Sequence, residues 1–127
     1  MTTVVAAIIE RADRVLIGRR TPSQAHPLKW EFPGGKVEPG ERPEEALRRE
    51  LREELEIEAQ IGPEVERYEF AYPGKKPILL VFFRVGSFAG EPRNLIFHEI
   101  AWVARQQLPE YDFLEGDVEF VKRLAAV

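Results

Sequence analysis

The chain has 127 residues, 44% hydrophobic and 31% charged, with a formal net charge of -4 and no cysteine. That length holds one domain, spanning 1–127, and the composition excludes disordered, collagen-like and coiled-coil classes. Disulfides, thiolate metal sites and a cysteine nucleophile are excluded outright, and an acidic chain without a basic tract is a poor holder of a nucleic-acid backbone. A phosphorylated small molecule stays open as a partner, because a bound metal can supply positive charge locally.

Val4 to Ile9 is an apolar run closed by Glu10 and Arg11. It is too short to span a membrane and lacks the flanks of a signal peptide, so the chain reads as soluble, cytoplasmic and, by default, monomeric. The run predicts a buried strand, and Val15 to Gly18 a second one pairing back onto it as a hairpin. Thr21 to Pro27 is a polar loop, and Trp30-Glu31-Phe32 is a brief extended piece entering Pro33-Gly34-Gly35, where the backbone must bend sharply or approach a ligand.

Glu44 to Leu55 is the clearest helix. Pro43 suits its first position, Glu44 and Glu45 suit its dipole, and Arg42 is a weak N-cap that needs help from elsewhere. Beyond it, Glu64 to Tyr72 and Ile78 to Val85 predict strands around Pro73-Gly74-Lys75-Lys76. The second is continuously apolar and therefore central in the sheet. Ile100 to Ala104 predicts another strand. From Asp117 onward Val118, Val121, Leu124 and Ala125 keep helical spacing. The order of elements implies a mixed α/β or α+β sandwich.

The segment from Gly34 to Ile57 carries the chemistry. At about 100° per residue, Glu50, Glu53 and Glu54 share one arc beside the core-facing Leu47, Leu51 and Leu55, while Arg48, Arg52 and Glu56 face solvent. Glutamate-rich helices are commonly solvated faces. Here, however, Glu50 and Glu54 repel at i,i+4 and need a compensating charge, and a glycine turn lies just upstream. A divalent cation bound by clustered oxygens meets both conditions, and magnesium commonly shares its shell with phosphate oxygens.

Gly35, five residues, Glu41, seven residues and Arg49-Glu50-Leu51-Arg52-Glu53-Glu54 together resemble the Nudix box, with Leu55 and Ile57 fitting its end and Glu56 standing where the pattern has glycine. Trp30 to Glu38 extends the resemblance to the MutT-like branch, of the 8-oxo-dGTP and CTP pyrophosphohydrolase type. The resemblance implies an α/β/α sandwich with the box as loop-helix-loop, Mg²⁺ as cofactor with Mn²⁺ as a substitute, and a small nucleotide as partner. It implies Glu50, Glu54 and the Gly34 carbonyl as metal ligands, and Glu53 as ligand or proton acceptor. Gly35, Glu41 and Arg49 would be structural, the last two as an ion pair. Glu99 is the candidate base, with a surface glutamate as the plain alternative, and His98 is read as structural. Arg20, Phe32, Lys36 and Asp117 are candidate substrate-binding residues; the plain alternatives are a charged strand end for Arg20, core packing for Phe32 and an N-cap for Asp117.

The implied activity is hydrolysis of a nucleoside triphosphate, 8-oxo-dGTP or a cytidine triphosphate, to monophosphate and pyrophosphate in nucleotide-pool sanitation. ADP-ribose or a dinucleoside polyphosphate is the alternative substrate class, and a catalytically silent nucleotide sensor the alternative of another kind. Glu56 in place of glycine implies a cost of about 1 kcal/mol if the helix still ends left-handed.

Overall fold

A computed structural model describes residues 1–127. The first apolar run lies within strand β1, Thr2–Arg11, and is followed by β2, Arg14–Arg19. Two short pieces, β3 (Trp30–Glu31) and β4 (Gly34–Lys36), lead to helix α1, Pro43–Leu55. Then come β5 (Glu58–Gln60), β6 (Glu64–Phe70), β7 (Ile78–Val85) and β8 (Ser87–Ala89). Strand β9 (Glu99–Ala104), a 3₁₀ turn at Arg105–Glu110 and helix α2 (Glu115–Ala125) complete the chain.

The main sheet runs β3-β2-β1-β7-β6, with β4 also on β1 and β9 also on β2. Only β1 and β7 are parallel, so the sheet is mixed, and β7 is internal as its unbroken apolar run predicts. The predicted β1–β2 hairpin exists only at its tip, through Glu10↔Val15 and Arg11↔Arg14. Beyond the tip β4 pairs with Val4, Val5 and Ala6, while β2 turns away to pair with β9 from Arg14 to Arg19.

Strand alternation explains how one apolar run feeds two cores. Val5, Ala7 and Ile9 pack under α1 with Leu47, Leu51 and Leu55. Ala6 and Ile8 pack on the other face with Phe82, Phe120, Val121 and Leu124 of the α2 side. The three α1 leucines are fully buried, each stabilising the fold by about 1.5–3 kcal/mol. This is the expected sandwich of two helical layers around a mixed sheet.

Helix α1 obtains its missing N-cap from within. The Arg42 N–H donates to Glu45 Oε1 at 2.9 Å, because the Arg42 side chain offers no acceptor of its own. It ends on Glu56 at φ 57°, ψ 39°, so the left-handed turn is kept without glycine. Helix α2 begins two residues before Asp117, with Leu114 as N-cap, so Asp117 is not the cap. Its inward face is Asp117, Phe120, Val121 and Leu124, whereas Val118 is exposed. Strand β6 stops at Phe70 rather than Tyr72: the Tyr72 carbonyl accepts from Lys75 N–H in the turn, and its hydroxyl accepts from Gly116 N–H at 3.1 Å.

Candidate active site

The box segment closes around Arg49. Its Nε and Nη2 donate to the two Glu41 oxygens at 2.8 and 3.0 Å, Nη2 also reaches the Lys36 carbonyl at 3.2 Å, and Nη1 holds Glu50 Oε1 at 2.9 Å. One planar guanidinium thus ties the loop after β4 to the helix, in the geometry that suits a fork of donors. The Arg49 fork, aided by the Glu38 N–H, brings the Glu41 carboxyl down to about 2. The expected Glu41–Arg49 pair is therefore present in its full bidentate form.

Glu50 and Glu54 lie on the sheet side of α1, toward the glycine loop. Gly34 N–H donates to Glu54 Oε1 at 3.2 Å, and a Cβ on Gly35 would sit 2.5 Å from the Glu50 carboxyl carbon. Gly35 is thus needed for the close approach of a carboxylate. Burial, then the neighbouring Glu50 carboxylate, then Glu31, push Glu54 well above the usual carboxylate range. Glu53 behaves differently: it is 58% exposed and touches only Arg49, at 3.5 Å.

Glu31 belongs to this cluster and was missed as a site residue in the sequence. Its carboxylate accepts from Arg20 Nη1 at 3.1 and 3.2 Å, and burial raises its pKa although Arg20 opposes the shift. The signal was available: Trp30 and Phe32 point to the α2-side core, so the residue between them alternates to the opposite side. Arg20 itself is held by Glu31 and by the Ala25 carbonyl, at 2.7 Å from Nε. Glu99 is not brought into the cluster. It pairs with Arg19 at 3.1 Å and shares its strand parity with Ala101 and Val103, which pack in the α2-side core. His98 lies outside it as well, its N–H bonded to the Arg19 carbonyl.

A cleft of about 270 Å³ joins these groups to the start of α2. Glu31, Gly34, Gly35 and Lys36 line it together with His26, Tyr72 and Asp117. Phe32 contributes to the wall, but its ring is buried against Phe82, Phe113 and Phe120, so its main work is core packing. His26 and Tyr72, also missed in the sequence, meet ring to ring, tilted by 37° with centroids 4.6 Å apart. Nothing in their spacing, far apart in two loops, announces the pair. Asp117 is buried, and burial followed by the Glu31 charge raises its carboxyl to about 8. A carboxyl that keeps its proton near neutral pH both donates and accepts.

The donor set fits a hard divalent cation. Glu50 and Glu54 offer adjacent oxygens whose mutual repulsion a cation would relieve, yet no three acidic or histidine side chains converge on one point. The protein would supply part of a shell and leave the rest to water and phosphate oxygens, as magnesium sites usually do.

Residues 1–124 match the NUDIX domain family. The CTP pyrophosphohydrolase of Escherichia coli K12 is 35% identical over 127 residues, covering 100% of this chain and 93% of that protein. The 8-oxo-dGTP diphosphatase of Haemophilus influenzae is 37% identical over 122 residues, covering 95% and 89%. Among solved structures, that of the E. coli ORF135 protein superposes with a TM-score of 0.88 at 36% identity, covering 99% of this chain and 89% of that one. The matching family model, the box geometry and the whole-chain relatives agree: this chain belongs to the NUDIX family and is an enzyme acting on pyrophosphate bonds.

Proposed function

We propose that the chain is a magnesium-dependent hydrolase that cuts a nucleoside triphosphate to a monophosphate and pyrophosphate. The observation that carries the reading is buried Glu54 and part-buried Glu50 pressed against the Gly34–Gly35 loop, which lines a cleft together with Lys36. Bound Mg²⁺ would neutralise charge on the phosphate oxygens and favour ionisation of the attacking water. Glu50 and Glu54, with the Gly34 carbonyl, are the residues to hold it. Arg49 keeps Glu50 in place, and Lys36 lies free to meet a phosphate oxygen. The water oxygen bonds to the β-phosphorus while the bond from that phosphorus to the α–β bridging oxygen breaks. The bridging oxygen leaves on the α-phosphate, and one proton of the attacking water is released. Glu53, exposed beside the pair, is the carboxylate best placed to accept it.

In the same cleft Asp117 faces the base, with His26 and Tyr72 also lining it. A protonated carboxyl matches a ring edge with an acceptor next to a donor: cytosine N3 with its amino group, or guanine O6 with N1–H. This supports a cytidine or (oxidised) guanine triphosphate as substrate. The relatives' names point the same way.

The test is pyrophosphate release with Mg²⁺ from CTP, dCTP, 8-oxo-dGTP, dGTP and ADP-ribose, comparing the wild type with Glu54→Gln. We expect turnover of a triphosphate and a loss of at least about 100-fold in the variant. Products of diphosphate plus inorganic phosphate would overturn the bond assignment. Nucleotide binding without turnover would leave a sensing module instead.

A further inference from the structure

The cleft does not end at the glycine loop. Lys36 and Ile78 also line a second groove, of about 740 Å³, where the starts of β1 and β7 meet the end of β4. Strand register brings these segments together: Val4 lies opposite Lys36, and Thr2 opposite Ile78. Lys76 enters the groove from the Pro73–Lys76 turn, in which Gly74 takes φ 74°. Most cations of this chain are held by carboxylates, Arg11, Arg49, Arg84 and Arg105 among them. Lys36 and Lys76 are both exposed and neither forms an ion pair. The one acidic side chain on the groove, Glu38, has its carboxylate 3.7 Å from Arg49.

Two uncompensated ammonium groups on one concave surface, in a chain of net charge -4, create a local site for an anion. The groove shares Lys36 and Ile78 with the cleft, so the two are continuous past the glycine loop. A polyphosphate chain whose reacting phosphorus sits at Glu50 and Glu54 therefore runs on into it. We propose that this groove is a second anion subsite. It receives the distal phosphates of the substrate and then holds the pyrophosphate product, with Lys36 at the junction and Lys76 lining the groove beside Ile78. The direction assigned to the chain rests on the hydrolase reading above; the anion subsite itself can be measured without turnover.

The experiment is calorimetric titration of the full chain with tripolyphosphate in the presence of Mg²⁺. It compares the wild type with Lys76→Glu and with Lys122→Glu, which makes the same charge change on the exposed side of α2. Each protein is also assayed for nucleoside triphosphate turnover. We expect tripolyphosphate to bind about tenfold more weakly to Lys76→Glu and within about twofold of wild type to Lys122→Glu. Unchanged binding in Lys76→Glu, or equal weakening in both variants, would overturn the subsite. If the wild type turns over nucleotide while Lys76→Glu binds tripolyphosphate normally, the subsite fails and the hydrolase stands. If nothing is turned over but Lys76→Glu alone loses tripolyphosphate, the subsite stands and the hydrolase reading fails.

Discussion

Adding a single methyl group at Gly35 separates catalysis from folding. The new Cβ would stand 2.5 Å from the Glu50 carboxyl carbon and 2.6 and 2.7 Å from its oxygens. Carbon contacts settle near 3.5–4.0 Å, so the carboxylate must retreat by about 1 Å. The backbone can stay where it is, because the obstructing atoms are the end of a side chain. The 2.9 Å bond from Arg49 Nη1 would stretch or re-form elsewhere, costing about 1 kcal/mol of stability or less. For a metal-holding group the same displacement costs about 100-fold in rate. Gly34→Ala is the contrasting case. Its Cβ would meet the Val5 carbonyl oxygen at 2.0 Å and Ala6 Cα at 2.8 Å, both backbone atoms of β1. Pairing of β4 with β1 must then fail, at a cost of about 3 kcal/mol or more. The assay is kcat/KM for pyrophosphate release with Mg²⁺, alongside urea unfolding of each variant. A folded Gly35→Ala enzyme within about threefold of wild-type kcat/KM would refute the reasoning, as would Gly34→Ala matching wild-type stability.

Two further outcomes follow from single residues. Glu56→Gly should raise the unfolding free energy by about 1 kcal/mol, since Glu56 holds φ 57° where glycine has no steric cost; urea denaturation checks it. Asp117→Asn should flatten the pH dependence of stability. The folded-state pKa of Asp117 is raised from 3.8 to about 8, so its contribution is fully present below about 3.8 and is lost as pH rises through about 8. The variant should gain on the wild type across that window, by up to about 5 kcal/mol at its upper end, in thermal or urea unfolding between pH 4 and 8.5. An unchanged pH profile would mean that Asp117 is ionised in the folded protein.

The sequence by itself determined the elements whose periodicity is strong and local. Leu47, Leu51 and Leu55 define the inner face of α1 whatever lies beneath them, and the unbroken apolar run of β7 has meaning only inside a sheet. The box residues were legible because fixed spacing on one helix converts directly into direction. Glu50 and Glu54 fall beside the core-facing leucines through geometry that one helical segment contains, whereas the Arg49–Glu41 pair was legible through the resemblance to the Nudix box. Tertiary structure decided what depends on contacts between distant segments. The β1–β2 hairpin shrank to its tip because β4 and β9 take up neighbouring edges, which no local pattern records. Glu53 and Glu54 are adjacent and chemically identical, yet one is solvated and the other is buried, because the sheet covers only one side of α1. Glu31 entered the carboxylate cluster, and Glu99 stayed outside it, through strand parity and the arginine each one meets. Asp117, a candidate substrate residue whose plain alternative was a helix cap, is a buried carboxyl rather than a cap because α2 begins earlier and turns that residue toward Glu31. His26, Tyr72, Lys36 and Lys76 lie in loops and strand ends whose relation exists only after the sheet has formed. Their encounter is set by register, and register is a property of the assembled fold.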